Sequence, residues 1–401
     1  MDPERLPSEQ AAPAEERFAF HRRPALPTAN FSEFHLIEWL LIGDRGLRVG
    51  WVLLVLALLY RLFSLILGTA AVTVYPALAK FDFSPVAALV GESVQLCALA
   101  AAMALVARVQ QRRLGDYNLT GPRPAVYFLH GLGMGFGALS ALVGAMACGG
   151  WLRFGAVSLS AAQSLRFALL WALVFLLVGL FEEGAFRCSL QSILTRGLNF
   201  WWALAIVATL CLDLLVRSRG NGADLFALLG METPTAAPGS GAWGVYGFAL
   251  LGLLPCLLLH LKKMPTAPFW QAAWVTSTLF GFIHTGNNGE NWIGIFAAAA
   301  IGFVFCVSVR LTGSAWWAIG CHAAWDWAET YFYGTADSGL VATGHVLNTT
   351  PTGNPLWSGG ADGPEGSLLV LFAIALLLAL LLALYGRRKI AAPATSAVPM
   401  G

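Results

Sequence analysis

Long apolar stretches separated by short polar segments run through most of the chain. Ten of them have about the length, roughly 20 residues, that a helix needs to cross the hydrocarbon core of a bilayer. They lie near residues 49–76, 85–108, 124–148, 162–191, 199–216, 242–261, 269–285, 291–310, 314–333 and 367–386. The clearest stretch, residues 368–385, contains 18 apolar residues and no charged one. The pattern predicts an all-α fold, a polytopic transmembrane helical bundle of about ten spans.

Basic residues in the connecting segments indicate how this bundle is oriented. They follow the even-numbered stretches: Arg108, Arg112, Arg113, Arg123, Arg196, Lys262, Lys263, Arg310, Arg387, Arg388 and Lys389. The opposite segments contain fewer basic residues, and the positive-inside rule places the more basic side in the cytoplasm. We therefore expect an integral, multi-pass membrane protein with both termini cytoplasmic. The segments 217–241 and 334–366, rich in turn-forming residues, are then external loops.

Composition supports the membrane assignment and excludes other classes of protein. Of the 401 residues, 57% are hydrophobic and 11% are charged, whereas about a quarter of the residues of a soluble domain carry charge. The 24 basic and 22 acidic residues nearly cancel, so no basic face is expected and no nucleic-acid partner. The 7 cysteines stand singly in apolar segments, unlike a disulfide framework or a thiolate zinc site.

Three groups of ionisable residues lie inside or at the edge of predicted spans. Because a charge at the bilayer centre costs about 2.5–3.5 kcal/mol, such residues are more informative than charges in loops. Taken singly, each group has a structural explanation, either an interfacial ion pair or a hydrogen-bonded histidine. Their occurrence together in one bundle favours a functional site instead. The groups are Glu182, Glu183 and Arg187 in the fourth span, His284, one helical turn after Phe280, in the seventh, and His322 and Asp326 in the ninth.

Helical spacing gives these residues physical meaning. Glu183 and Arg187 are four positions apart, so they share a helix face and can pair. Glu182 points about 100° away and has no partner in its own helix. His322 and Asp326 are also four positions apart, so the carboxylate can orient the imidazole or the two can converge on one ligand. A carboxylate with two histidines suffices either to hold zinc or to act as a general base with polar support.

The ordered set Glu-Glu-x-x-x-Arg, Phe-x-x-x-His and His-x-x-x-Asx resembles the motifs of the CPBP intramembrane proteases. That group includes the type II CAAX prenyl endopeptidases and bacterial bacteriocin-processing and self-immunity proteins. The resemblance covers roughly residues 160–333. It implies a conical, membrane-embedded cavity and an endopeptidase that cuts peptide bonds in or near the bilayer. The implied partners are the lipid bilayer and a membrane protein or peptide substrate, prenylated or not, and the implied location is a bacterial inner (plasma) membrane.

The resemblance also assigns roles to individual residues. It implies that Glu182, together with His284, activates a water molecule, and that His322 and Asp326 stabilise the oxyanion and orient the substrate. The implied supporting residues are Glu183, Arg187 and Phe280. Members of the family are described both as zinc enzymes and as glutamate-dependent hydrolases. A zinc cofactor therefore stays open, with Glu182, His284 and His322 as its ligands if it is used, and metal-independent chemistry is the interpretation we prefer.

Three features depart from the family pattern, the first being Cys188, which follows Arg187 where glycine is usual. Between Glu183 and Phe280 lie 96 residues, positions 184–279, where a few dozen are usual, which predicts a two-helix insertion at about 199–261. The third motif ends in Asp326, where asparagine is commoner. The predicted organisation is a soluble, poorly ordered N-terminal arm with an interfacial segment (1–48), N-terminal transmembrane helices (49–160), the catalytic core with its insertion (161–333), an external loop (334–366) and a last transmembrane helix with a cytoplasmic tail (367–401).

The sequence allows alternatives for the depth of the motifs and for the function. Glu182 and His284 fall late in helices that run in opposite directions, so at 1.5 Å per residue they would lie at different depths. Either the fourth helix begins later than residue 162 and continues to about 195, or the seventh helix tilts or extends beyond 285. The alternative function is a proton- or cation-coupled membrane transporter that uses the same intramembrane Glu, His and Asp residues.

Overall fold

The computed structural model describes residues 40–43, 46–79, 83–157, 159–218, 242–287 and 289–386. Three regions named in the predictions lie almost wholly outside these ranges: the soluble N-terminal arm, the loop 217–241 and the cytoplasmic tail. Within the described ranges the chain is mainly helical, which confirms the predicted fold class.

Eleven helices and four short strands make up the described part of the chain. The helices are α1 (Val49–Val74), α2 (Pro85–Val109), α3 (Pro124–Cys148), α4 (Ala161–Leu194), α5 (Phe200–Ser218), α6 (Ala242–Leu261), α7 (Ala267–His284), α8 (Trp292–Thr312), α9 (Trp316–Asp326), α10 (Pro355–Ser358) and α11 (Leu369–Tyr385). Helix α9 continues as a π-helix over Trp327–Tyr333. The strands form two antiparallel pairs: β1 (Ile42–Gly43) with β2 (Gly46–Leu47), and β3 (Leu152–Phe154) with β4 (Thr349–Pro351).

All ten apolar stretches are helical, and their ends lie within a few residues of the predicted ones. Among the described residues, 7 helices, α1 to α6 and α8, are long and apolar enough to cross a membrane. Helix α11 is strongly apolar but has 17 residues. Helices α7 and α9 carry the histidine motifs and are not among the 7 candidate spans. Both are largely buried among other helices, so their polar side chains face protein rather than lipid.

The close contact between α3 and α9 fixes the helix that carries the third motif. Gly131 and Gly135 on α3 face the backbone of α9 at Trp317 and Cys321, and a Cβ atom at either glycine would overlap a carbonyl oxygen of α9. Small residues let membrane helices approach this closely. His322 follows Cys321 directly, so the position of its side chain depends on this contact.

Replacing Gly135 by valine is expected to push α3 and α9 apart. The free energy of unfolding should fall by about 1–3 kcal/mol, the usual cost of overpacking a filled interior. The measurement is the unfolding midpoint of the purified protein in detergent. Gly137→Val on the same helix is the matched control, because a Cβ atom at Gly137 meets no atom within 4 Å. Equal midpoints for the two variants would contradict the packing argument.

Helix α4 resolves the difference in depth between the first and second motifs. It begins at Ala161, so the later start is wrong. The predicted continuation of this helix to about 195 is present, because α4 runs to Leu194 through a π-helical segment, Gly184–Leu190. Helix α7 ends at His284, so it does not extend beyond 285. Glu182 therefore lies in the interior of a long helix rather than at its end. Such π-helical segments are rare and are frequently found at functional sites.

The segment 334–366 folds against the connection between α3 and α4. Its strand β4 pairs with β3, and the ring of Trp357 stacks on that of Trp151 with centroids 5.2 Å apart. The side-chain amide of Asn348 donates a hydrogen bond to the carbonyl of Ala156 at 2.8 Å. The segment is therefore held in place at several points, although it contains little regular secondary structure.

Candidate active site

The side chains of the three motifs converge on one cavity of about 350 Å³. Glu182 from α4, His284 from α7, and His322 and Asp326 from α9 all line it, together with the ring of Phe280. The residues that the sequence selects from three separate helices are thus brought together. Glu182 is the most accessible of the α4 and α9 groups, with a side chain 27% exposed against 12% for His322 and 13% for Asp326.

Glu183 links the first motif to the third. Its Oε1 accepts a hydrogen bond from Arg187 Nη1 at 3.1 Å and lies 2.9 Å from His322 Nδ1. Glu183 is fully buried and Arg187 is 1% exposed, and the guanidinium lies over the ring of Phe280, 4.4 Å from its centroid. A carboxylate paired with Arg187 acts as an acceptor, so His322 carries a proton on Nδ1. The predicted pairing of Glu183 with Arg187 is present, and Glu183 also orients the catalytic candidate His322.

The second nitrogen of His322 lies between two carboxylates. Its Nε2 is 3.8 Å from Glu182 Oε2 and 3.5 Å from Asp326 Oδ2. The imidazole ring is stacked on Phe305 of α8, with centroids 5.8 Å apart. The stacking and the contact with Glu183 fix the plane of the ring, so Nε2 is aimed at the cavity.

His284 is oriented by the backbone of its own helix. Its Nδ1 lies 2.7 Å from the carbonyl oxygen of Phe280. A carbonyl oxygen only accepts, so Nδ1 is the donor and carries the proton, and the neutral ring keeps Nε2 as an acceptor. The ring of Phe280 also lies 4.8 Å from that of His284 and 4.9 Å from that of Phe186 on α4. Phe280 therefore supports the site through both its backbone and its ring.

The end of α7 is also tied to α5, within the predicted insertion. Arg217 of α5 forms an ion pair with Asp213 at 2.8 Å and donates a hydrogen bond to the hydroxyl of Thr285 at 2.7 Å. Thr285 follows His284 directly. Helix α5 therefore contacts the residue beside the second motif, a link that the spacing of the motifs does not reveal.

The three residues named for zinc do not form a metal site in this arrangement. Tetrahedral zinc requires ligand atoms about 2.0–2.2 Å from the ion, so that neighbouring ligand atoms lie close together. Among the described residues no group of three His, Cys, Asp or Glu side chains has metal-binding geometry. We therefore derive no step of the reaction through zinc.

Further carboxylates, which do not belong to the three motifs, lie around the cavity. Glu92 from α2, Asp337 and Glu365 line it. Glu290 and Asp362 meet beside Gly294 at the start of α8, where a Cβ atom would overlap Glu290 Oε1 and Asp362 Oδ2. Four of these five residues lie in loops without helical periodicity, so no spacing rule connects them with the motifs. The only sequence signal for these four loop residues was their presence in the two segments that follow the helices of the second and third motifs.

The loop carboxyls hold their protons more tightly than exposed ones. Burial raises the pKa of Glu290 to about 9, and the neighbouring Asp362 and Glu365 add to the rise. Burial also raises the pKa of Asp362 to about 7, although the hydrogen bond from the backbone N–H of Asn291 lowers it. In both cases the neutral form is favoured because a charged carboxylate would lack water and face other carboxylates.

The contact between the segment 334–366 and the start of α8 is expected to weaken as the pH rises from about 5 to about 9. Glu290 keeps its proton when folded and has an ordinary pKa of 4.5 when exposed. Opening of the contact therefore releases a proton, and higher pH favours it until the folded pKa is reached. Hydrogen exchange of residues 334–366, corrected for intrinsic rates, measures the effect. Glu290→Gln should flatten the pH dependence, and equal slopes in both proteins would contradict this account.

Comparison with known proteins gives one match. Residues 252–328 match the family model described as Type II CAAX prenyl endopeptidase Rce1-like. The matched segment contains the second and third motifs and ends before the π-helix that follows α9 is complete, whereas the first motif lies outside it. The match confirms the resemblance to the CPBP family. No curated protein and no solved structure matches the chain.

Proposed function

We propose that this chain is an intramembrane endopeptidase in which Glu182 and His284 activate a water molecule. The observation that carries the proposal is the convergence of four polar side chains from three helices on one cavity of about 350 Å³. The match of residues 252–328 to the Rce1-like prenyl endopeptidase family supports the same class of reaction. The substrate is a peptide bond of a membrane protein or peptide, reached from the bilayer or its surface.

The reaction follows from the orientation of the side chains. A water molecule between Glu182 and His284 Nε2 loses a proton to the Glu182 carboxylate as its oxygen attacks the scissile carbonyl carbon. The carbonyl oxygen becomes an oxyanion, and the N–H at His322 Nε2, 3.8 Å from Glu182, is placed to donate to it. Glu182 then returns the proton to the leaving nitrogen as the carbon–nitrogen bond breaks. Asp326, 3.5 Å from His322 Nε2, stabilises the positive charge on the imidazole.

The arrangement favours hydrolysis over transport of protons or cations. A transport path needs ionisable side chains distributed through the depth of the bilayer. Here Glu182, His284, His322 and Asp326 surround a single cavity, and Glu183 and Arg187 are sealed behind it with side chains 0% and 1% exposed. The convergence supports a reaction centre.

The experiment uses the purified full chain in liposomes with a library of fluorescence-quenched peptides anchored by one transmembrane helix. We expect cleavage at defined bonds, identified by mass spectrometry, and no proton or cation flux across the same liposomes. Farnesylated and unmodified cysteine peptides, compared at equal concentration, show whether a prenyl group contributes to recognition. Ion flux without cleavage of any peptide would contradict the proposal and favour the transporter.

A further inference from the structure

Three carboxylates beyond the motif side chains line the active-site cavity. Glu92 comes from α2, Asp337 from the segment after α9, and Glu365 from the 3₁₀ turn Pro364–Gly366. Among the described residues that line the cavity there is no lysine or arginine. Hydrolysis needs one carboxylate as the base, and additional negative charge opposes the charge that develops on the scissile oxygen. The surplus carboxylates therefore need another explanation.

Two neighbouring carboxylates are buried with an oxygen that no hydrogen-bond donor reaches. Glu329 is 1% exposed and Asp362 is 0% exposed, yet Glu329 Oε1 and Asp362 Oδ1 have no partner among the described residues. The indole N–H of Trp325 donates both to Glu329 Oε2 at 3.0 Å and to Glu365 Oε1 at 2.9 Å. Glu329 thus lies directly beside the cavity-lining Glu365. A buried acceptor without a donor is unfavourable, and a positive charge bound at the neighbouring Glu365 would stabilise this cluster.

The loop carboxyls of the cavity are also short of positive charge, because the imidazole of His322 offsets their raised pKa values only in part. Burial raises the pKa of Glu365 to about 8, and Asp337 and Asp362 raise it further. Burial raises the pKa of Asp337 to about 6, although the hydroxyl of Thr330 donates a hydrogen bond to it. A cation between Asp337 and Glu365 would favour the charged form of both.

The lining of the cavity is suited to a basic side chain rather than to a metal ion. A calcium ion takes six to eight oxygen ligands at about 2.3–2.6 Å, and no group of three acidic, His or Cys side chains in the described residues has metal-binding geometry. The rings of Phe83, Phe175 and Trp325 line the cavity along with the carboxylates. Aromatic faces combined with carboxylates bind ammonium and guanidinium groups.

We propose that the cavity selects peptides with a lysine or arginine side chain next to the cleaved bond, bound by Asp337 and Glu365. Glu92 adds a third carboxyl group from α2, and the buried Glu329 lies behind Glu365. The inference rests on the proposed protease function and specifies its substrate class, a basic peptide segment at the membrane. The motif residues perform the reaction, and the loop carboxylates determine which peptide is bound.

The test uses pairs of quenched, membrane-anchored peptides that differ at one position beside the cleaved bond. One peptide has arginine there and the other has citrulline, its neutral isostere. The full chain in liposomes is expected to cleave the arginine peptide with a kcat/KM at least about tenfold higher, mainly through a lower KM. In the double variant Asp337→Asn with Glu365→Gln this ratio should fall to about twofold. Asp116→Asn, an exposed carboxylate away from the cavity, should keep the wild-type ratio.

Binding of the same peptides to the Glu182→Gln protein, followed by fluorescence anisotropy, separates this inference from the protease function. Tighter binding of the arginine peptide, by about tenfold or more, supports the subsite even where no peptide is cleaved. Equal binding and equal kcat/KM for the two peptides would overturn the proposed subsite. If both peptides are cleaved at equal rates, the proposed protease function is still supported. Binding of CaCl₂ or ZnCl₂ is measured by calorimetry, first without peptide and then with the arginine peptide present. Binding of a metal ion that the arginine peptide displaces would assign the carboxylates to a metal site and also overturn the proposed subsite. The comparison of peptides on the wild-type protein needs no variant to fold.

Discussion

Replacing Glu182 by glutamine is expected to lower kcat for peptide cleavage by about 10²–10⁴-fold, the usual contribution of a general base. Glutamine has the same shape but cannot accept the proton of the attacking water. The side chain is 27% exposed and faces the cavity, so its replacement should not disturb packing. The measurement is single-turnover cleavage in liposomes, together with the unfolding midpoint of the variant in detergent.

The matched control for this variant is Asp116→Asn, which removes a carboxylate from an exposed turn. It should cleave at the wild-type rate. His284→Ala should resemble Glu182→Gln, because the water would lose the acceptor at Nε2. A Glu182→Gln protein with full activity and a normal unfolding midpoint would remove the assignment of the base.

Replacing Glu183 by glutamine is expected to lower the free energy of unfolding by about 3–5 kcal/mol, the usual cost of breaking a buried ion pair from one side. The guanidinium of Arg187 would remain 1% exposed without its carboxylate, held only by aromatic rings such as that of Phe280. Arg187→Met should lower the free energy of unfolding by a similar amount, because the buried carboxylate of Glu183 would lose its guanidinium and keep only His322 as a partner. Denaturant titration in mixed micelles measures both variants.

The double variant Glu183→Gln with Arg187→Met provides the internal check. Because it leaves no uncompensated buried charge, it should be destabilised less than the sum of the two single variants. Arg166→Met, an exposed arginine on the same helix α4, should stay within about 0.5 kcal/mol of wild type. Strict additivity of the two buried substitutions would mean that the pair does not act as a unit.

Apolar length predicted the helices well because the bilayer imposes it on the chain. Stretches of the required length cannot satisfy their backbone groups in lipid except as helices, and each predicted stretch is helical. Contact with lipid does not explain why α7 and α9 are helical, because these helices, which carry the second and third motifs, are surrounded by protein. The predicted insertion at about 199–261 and the cytoplasmic position of the termini stay predictions.

Spacing along a helix predicted contacts within helices but not between them. It anticipated the pair of Glu183 with Arg187, which lies at 3.1 Å. It offered Asp326 as the group that orients the imidazole of His322, whereas Glu183 from α4 lies at Nδ1, at 2.9 Å. That contact depends on how closely α4 and α9 approach, which a periodicity within one helix does not encode. The loop carboxylates were missed for the same reason.

The two π-helical segments have a consequence for the lengths of the motif helices. Each begins one or two positions after a residue that lines the cavity, over Gly184–Leu190 in α4 and over Trp327–Tyr333 beyond α9. A π-helical turn is closed by i→i+5 hydrogen bonds and therefore holds about one residue more than an α-helical turn. Deleting one residue from such a segment would convert it to regular α-helix and leave the side chains beyond it facing nearly the same way, whereas a deletion in the regular helix beside it would turn the side chains beyond by about 100°. The π-helical segments are therefore the places where the motif helices are expected to tolerate the loss of a residue.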